Sequence, residues 1–277
     1  MSKELNAFEA LALVPGWDPA EFAIEELKGG LTNRTYHLRR DDIDYVLRLE
    51  AHDAGFFQFD RSSELTNLAA ANEAGLGPSV IHSDREHGIL ITEFLRGRVW
   101  DDADMKSHQS LESLAELLRN VHALPLCGTR SDVSAVATTY ENYLEQRHGL
   151  HAFATECVEV IAGIPVHDAA TCCHNDIVAA NIVEGPMLML IDWEYSCDND
   201  PMFDLASAIG FHNLDGKNTE ILLNAYAGGR DAELRERLDD QIRIYDAIQW
   251  LWLASRHLAF PSTAQARRLE QLQQRIR

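Results

Sequence analysis

Hydrophobic and polar positions keep a period of two through the first third of the chain. Ile43, Tyr45, Leu47 and Leu49 alternate with Asp44, Val46 and Arg48, the signature of a strand with one buried face. That register sets Arg48 on the face opposite the main apolar row. Residues 22–28 and 34–39 read as strands on either side of Gly29-Gly30-Leu31-Thr32-Asn33, and Asp41-Asp42 marks the next turn. Residues 61–74 look helical, with Glu64 in the first turns. Residues 78–82 and 88–94 read as two further strands. Together they predict an antiparallel sheet of about five strands with one helix.

The period changes after residues 93–97. Leu111, Leu114, Leu117, Leu118 and Val121 recur at helical spacing, and segments 140–147, 203–210, 219–227 and 232–257 also look helical. Among them, Ile182-Val183 and residues 187–191 are short β-compatible apolar runs joined by the turn signal Glu184-Gly185-Pro186. The pattern predicts an α+β protein of two lobes. A small antiparallel β-sheet lobe with one helix occupies residues 1–94, and a larger, mainly helical lobe occupies 95–277. A cleft is expected between them, where small-molecule sites commonly lie.

The hairpin carries the densest chemistry. It follows His174-Asn175-Asp176, four residues and Asn181, and it ends at Asp192. The two spacings match a kinase centre, in which one acid orients a hydroxyl and an amide plus a second acid hold Mg²⁺. A hairpin leaving Asn181 and returning at Asp192 sets both at one open end, with Asp176 beside them. Mg²⁺ takes oxygen ligands and usually only one or two carboxylates, which suits an Asn and an Asp.

Composition narrows the partners. The 277 residues carry 44 acids against 24 Lys and Arg, a net charge of −20. Nucleic acid and anionic membrane surfaces would repel such a chain. A cationic substrate is compatible with it, although acidic surfaces commonly serve solubility alone. No apolar run is long enough to span a bilayer, and the first ten residues carry Lys3, Glu4 and Glu9, unlike a secretory signal. The five cysteines form no C-x-x-C pair and read as reduced thiols of a cytoplasmic protein.

Gly29 and Gly30 would let backbone N–H groups approach phosphate oxygens. A Gly-Gly turn alone is more often just a turn, and this one is neither a P-loop nor G-x-G-x-x-G. Its weight comes from Arg48, a basic strand residue some fifteen positions on, whose planar fork suits phosphate. Glu64 on the next helix is the natural carboxylate to position that fork. Glu194, after Asp192-Trp193, could assist the metals or neutralise a cationic substrate. Tyr195, Trp250 and Trp252 could offer aromatic faces to an ammonium group. The alternative for each is the aromatic core of the helical lobe, and Trp250 and Trp252, two apart, point to different sides of a helix. Asp204 is expected to cap a helix or tie back to the catalytic loop.

Several of these stretches resemble the choline/ethanolamine kinases. They are Gly-Gly-Leu-Thr-Asn at 29–33, Tyr-Val-Leu-Arg-Leu at 45–49, Leu-Arg-Asn-Val-His-Ala-Leu-Pro at 118–125, His-Asn-Asp at 174–176 and Ile-Asp-Trp-Glu-Tyr-Ser at 191–196. Asn-Asp-Pro-Met-Phe-Asp-Leu-Ala at 199–206 is similar to the bacterial choline kinases that supply phosphocholine for surface glycans. That family sits with aminoglycoside phosphotransferases and thiamine kinases in a protein-kinase-like superfamily, where an Arg commonly stands in place of the protein-kinase Lys.

The resemblance implies a protein-kinase-like fold and an ATP- and Mg²⁺-dependent transfer of phosphate to a small cationic alcohol. Choline comes first, then ethanolamine or thiamine, then an aminoglycoside. It implies Asp176 as catalytic base and Asn181 and Asp192 as Mg²⁺ ligands. Arg48 with Gly29, Gly30, Thr32 and Asn33 would bind ATP phosphates, and Glu64 would position Arg48. The connector from Glu93 to Leu95 would meet adenine through its backbone, and Tyr195 and Trp252, with Glu194, would line the ammonium pocket. The chain departs from the eukaryotic members after the Phe-Asp helix, with Phe211-His212-Asn213-Leu214 where they carry a further Glu and more aromatics. Gln249 stands one turn before Trp252 where another Trp is expected. The rival class is a catalytically silent nucleotide- or cation-binding module, against which the presence of Arg48, Asp176, Asn181 and Asp192 argues.

Overall fold

In the computed structural model, which describes residues 5–27, 33–50, 61–146 and 148–277, the alternating segment around Tyr45 is the middle strand of a five-stranded sheet. The described elements run α1 (Ala7–Leu11), β1 (Ala23–Leu27), β2 (Asn33–Arg40), β3 (Ile43–Glu50), α2 (Arg61–Glu73), β4 (Val80–Asp84), β5 (Ile89–Glu93) and β6 (Arg98–Val99). They continue α3 (His108–His122), α4 (Val133–Leu144), α5 (His148–Ala162), β7 (Thr171–Cys173), β8 (Ile182–Glu184), β9 (Leu188–Leu190), β10 (Cys197–Asn199), α6 (Pro201–His212), α7 (Gly216–Ala227), α8 (Ala232–Ala259) and α9 (Thr263–Ile276). Contacts divide the chain into two units, Met1–Val99 with Ile182–Tyr195, and Trp100–Asn181 with Ser196–Arg277. The sequence reading cuts once, after residue 94; by contacts the hairpin β8–β9 clusters with the sheet.

In the first unit the order is β1-β2-β3-β5-β4, antiparallel throughout. Tyr45, Leu47 and Leu49 of β3 point into a core with Leu38, Ile89 and Ile91. That core is closed by α1 through Ala7, Ala10 and Leu11, a helix absent from the sequence reading. A reciprocal box sets its start: Asn6 accepts from the Glu9 N–H, and Glu9 accepts from the Asn6 N–H. The other face of β3 carries Arg48 toward α2, whose buried residues include Ser63, Glu64 and Asn67. β8 and β9 form the expected hairpin, Glu184 opposite Leu188, with β6 on the outer side of β8. Gly97 leads into β6 without a side chain because a Cβ there would lie 2.5 Å from the Glu184 carbonyl oxygen.

The second unit is mainly helical. Four of its helices start at acids: Asp132 caps α4, Asp200 caps α6 ahead of Pro201, Asp215 caps α7 and Asp231 caps α8. α6 packs on α8, α3 on α7, and α9 folds back on α8. α6 is buried over nearly its whole length, so its polar residues face protein. β7 and β10 pair antiparallel, Cys173 opposite Cys197, and the five cysteines are free thiols. α5 and α9 were not expected from the sequence. α9 buries only Leu269 and Leu272, too few to mark a period. Among the described residues, no helix is long and apolar enough to cross a membrane.

Candidate active site

The first unit gathers a cluster of charges around Arg48. Glu64, one turn into α2, meets the Arg48 fork twice, Nη1 to Oε1 at 2.6 Å and Nη2 to Oε2 at 2.8 Å. One of these, Nη2 to Oε2, is a hydrogen bond, and the other is an ion-pair contact that adds to the hold on the guanidinium. Arg61, three residues earlier on α2, donates to the same carboxylate at 2.9 Å and pairs with Glu50 at 2.5 Å. Glu194 lies 3.5 Å from Arg61 and 3.9 Å from Arg48, and it accepts from the Asn33 amide at 2.7 Å. Asp192 approaches Arg48 at 3.5 Å while keeping 43% of its side chain exposed, so one face of its carboxylate is open to a ligand.

Two guanidiniums thus meet four carboxylates, and the ionisation follows. Burial pushes the Glu64 carboxyl upward, but the charges and hydrogen bonds of Arg48 and Arg61 outweigh it and hold Glu64 below the usual range. Glu194 goes the other way. Burial first, then the charge of Asp192, push it up to about 7 against the pull of Arg48, Arg61 and Asn33. Burial disfavours the Arg48 cation, and Glu64, Glu194 and Asp192 more than restore it, so its pKa rises.

The second unit holds the loop between β7 and Asn181. Asn181 donates its Nδ2 to the main-chain oxygen of Asp176 and to Asp176 Oδ2, each at 3.0 Å. This orients the Asp176 carboxylate and leaves Asn181 Oδ1 as the atom to offer a cation. A hard oxygen on Asn181 and an open carboxylate on Asp192 are the donor chemistry that Mg²⁺ requires. The residues present therefore fit that metal, each within its own unit.

The loop is held by its main chain. Asn175 in this loop has φ +65°, and in the first unit Asp192 has φ +64°, a left-handed conformation that Asn and Asp tolerate best among residues with a Cβ. Asp204 accepts from His174 N at 3.0 Å and from Asn175 N at 2.6 Å, and it bonds the His122 ring at 3.0 Å. It ties back to the loop, while the cap of α6 is Asp200. His122, Cys173 and Asp204 bring possible metal-ligand atoms within 4.8 Å of one another, but three donors already occupy the Asp204 carboxylate. Ser207 accepts from Ile177 N at 2.7 Å, and His212 accepts from Ala179 N at 3.0 Å.

The remaining candidates fall as follows. Gly29, Gly30 and Thr32 lie outside the described residues. Glu93 ends β5, where it accepts from Ser79 Oγ at 3.0 Å, and Leu95 is half-buried. Glu194 is buried among the arginines and Asn33, and Tyr195 beside it is half-buried. Trp250 belongs to the core of the helical unit, its ring 4.7 Å from Phe153. Trp252 is half-buried and carries the Arg256 guanidinium 5.8 Å from its ring centre. Sequence reasoning missed Arg61, although its spacing of three from Glu64 on one helix was a signal. It also missed Asn175, Ser207 and His212, whose roles depend on contacts 22 to 33 residues away.

Comparison with known proteins places the chain in a family and a fold. The profile of the phosphotransferase enzyme family matches residues 23–240. Protein LicA of Haemophilus influenzae is 26% identical over 209 residues, covering 72% of this chain and 61% of LicA, so the chain spans under two thirds of that relative's length. Among solved structures, a choline/ethanolamine kinase family protein from Mesorhizobium loti superposes with a TM-score of 0.73 at 25% identity, covering 98% of this chain and 92% of that one. Choline kinase LicA from Streptococcus pneumoniae gives 0.73 at 22% identity, covering 91% and 94%. The fold is the protein-kinase-like one of choline and aminoglycoside kinases.

Proposed function

The chain belongs to the phosphotransferase enzyme family, and from that premise we propose that it is an ATP- and Mg²⁺-dependent kinase that phosphorylates the hydroxyl of choline. The observation that carries the reading is the double hold of Asn181 on Asp176. It orients the carboxylate that would receive a hydroxyl proton. Asp176 accepts that hydrogen bond and aligns the alcohol oxygen for in-line attack on the γ-phosphorus. The bond to the β,γ-bridging oxygen breaks, and ADP departs.

The Arg48 cluster supports the nucleotide side. With more carboxylates than guanidiniums, it would repel a polyphosphate brought without cations. Mg²⁺ held by Asn181 and Asp192 would supply the missing positive charge, and Arg48, held by Glu64, meets phosphate oxygens. Gly29, Gly30, Thr32 and Asn33 complete the phosphate end, and the connector from Glu93 to Leu95 meets the base. Tyr195 and Trp252 line the ammonium end. Glu194, held by Asn33 and two arginines, sets the charge of the phosphate end rather than pairing with the acceptor.

The choice of choline rests on the names of the relatives, LicA and the choline/ethanolamine kinase family. ADP release from ATP and Mg²⁺ should be measured with choline, ethanolamine, thiamine and kanamycin supplied separately. Choline-dependent turnover is expected. Turnover with another acceptor alone would keep the mechanism and replace the substrate. None with any of the four, alongside tight ATP binding, would favour a non-catalytic nucleotide-binding module.

A further inference from the structure

α6 offers three side-chain acceptors to the loop that carries Asp176. Asp204 takes the N–H groups of His174 and Asn175, Ser207 takes that of Ile177, and His212 takes that of Ala179. The first two contacts precede or flank Asp176. The third lies past it, at the start of the short 3₁₀ turn Ala179–Asn181 that delivers the Asn181 amide back to the Asp176 carboxylate. Buried main-chain N–H groups require a partner, and here the partner is an imidazole nitrogen.

That contact selects one form of the ring. Nε2 receives the Ala179 N–H at 3.0 Å, so Nε2 carries the lone pair. Nδ1 therefore carries the hydrogen, and it lies 2.7 Å from Asp102 Oδ1. The His212 side chain is 2% exposed, whereas that of Asp102 is 79% exposed. The solvent-side carboxylate orients a buried ring whose inner nitrogen holds the Asp176 loop. Protonation of Nε2 would set N–H against N–H. Burial disfavours the charged ring, and although Asp102 pulls the other way, the pKa is lowered, with Lys106 and Arg268 adding to the lowering.

We infer that His212 is a positioning residue of this kinase: as the neutral Nδ1–H tautomer oriented by Asp102, it fixes the Ala179–Asn181 turn and through it the aim of the Asp176 carboxylate. The inference rests on the kinase reading above for its catalytic consequence, while the contact itself can be tested without turnover. Nothing in the local sequence marks the role, because His212 and Ala179 are 33 positions apart.

The test compares His212→Ala with His212→Gln. The Gln side chain can accept from Ala179 through its oxygen and donate to Asp102 through its nitrogen; Ala can do neither. With the best acceptor, His212→Ala is expected to lower kcat by about 10- to 100-fold while the KM for ATP stays within about twofold, and His212→Gln is expected to recover most of the loss. An unchanged kcat in His212→Ala would overturn the proposal. So would a His212→Gln that is no better although both variants melt near the parent temperature. The independent measurement is hydrogen exchange at the Ala179 amide, expected to speed up in His212→Ala and slow again in His212→Gln. Unchanged exchange would refute the contact even in a fully active enzyme. Altered exchange in a protein that phosphorylates no acceptor would refute the kinase reading instead.

Discussion

Arg48 and Glu64 face each other through two contacts of 2.6 and 2.8 Å, with the Glu64 side chain 2% exposed. The same carboxylate also serves Arg61. Replacing it with an amide of the same shape leaves two guanidiniums facing a neutral group in a buried setting. Glu64→Gln should therefore cost about 3–5 kcal/mol, the usual penalty for breaking a buried pair from one side, measured by urea unfolding. Its effect on pH dependence has a definite sign. The folded carboxyl titrates below its ordinary value of 4.5. The unfolded chain then binds the proton first on acidification, so the stabilisation is complete above pH 4.5 and is lost as pH falls through the folded pKa. Glu64→Gln should flatten that acid limb. A variant whose stability falls with acid as steeply as the parent would remove Glu64 from the account.

Asp176 and Asp192 should fail differently. Asp176→Asn keeps an oxygen for the Asn181 amide, so the turn survives while the negative charge is lost. The expected result is a kcat lower by about 10²- to 10⁴-fold with the KM for ATP little changed. Asp192→Asn removes the exposed carboxylate beside Arg48 and should raise both the KM for Mg·ATP and the Mg²⁺ concentration needed for half-maximal rate. Steady-state kinetics over a Mg²⁺ series separates the two. Identical kinetic signatures would mean that the acid and metal roles are wrongly divided between them.

These residues differ in how far the sequence alone exposes them. Arg48 is legible because the alternation of β3 sets it opposite Tyr45, Leu47 and Leu49, and the structure buries those three while turning Arg48 to α2. The β8–β9 hairpin is legible because two apolar runs flank a Gly-Pro turn. α1 is not, since five residues carry too little period, although Asn6-x-x-Glu9 is a capping signal. Helix 140–147 is expected too late: α4 begins at Val133 behind its Asp132 cap and ends at Leu144. The aromatic pair at 250 and 252 divides as a two-residue offset requires, Trp250 in the core and Trp252 at the edge of α8. The α6 contacts to the loop that carries Asp176 are illegible for another reason. Asp204, Ser207 and His212 look like scattered polar residues until the loop is folded against them.

Gly210 illustrates a constraint that local propensity would miss. It lies inside α6, where an exposed Gly→Ala exchange would be worth about 1 kcal/mol of helix stability. Here a Cβ would stand 2.5 Å from Tyr245 Cδ1 and 2.7 Å from Cε1. Tyr245 is buried on α8 and stacks edge-on against Phe203, 5.9 Å between ring centres, so its ring has nowhere to turn. Overpacking of this kind costs about 1–3 kcal/mol and outweighs the propensity gain. The Gly210 carbonyl also accepts from Arg268 at 2.7 Å and Arg275 at 3.0 Å, so a shift of α6 would disturb the docking of α9. Gly210→Ala should lower the thermal midpoint, and in a Tyr245→Ala background the same exchange should become neutral or stabilising. A stabilising Gly210→Ala in the parent would show that α6 and α8 have slack at this contact, and the close packing inferred for the helix that holds the Asp176 loop would have to be abandoned.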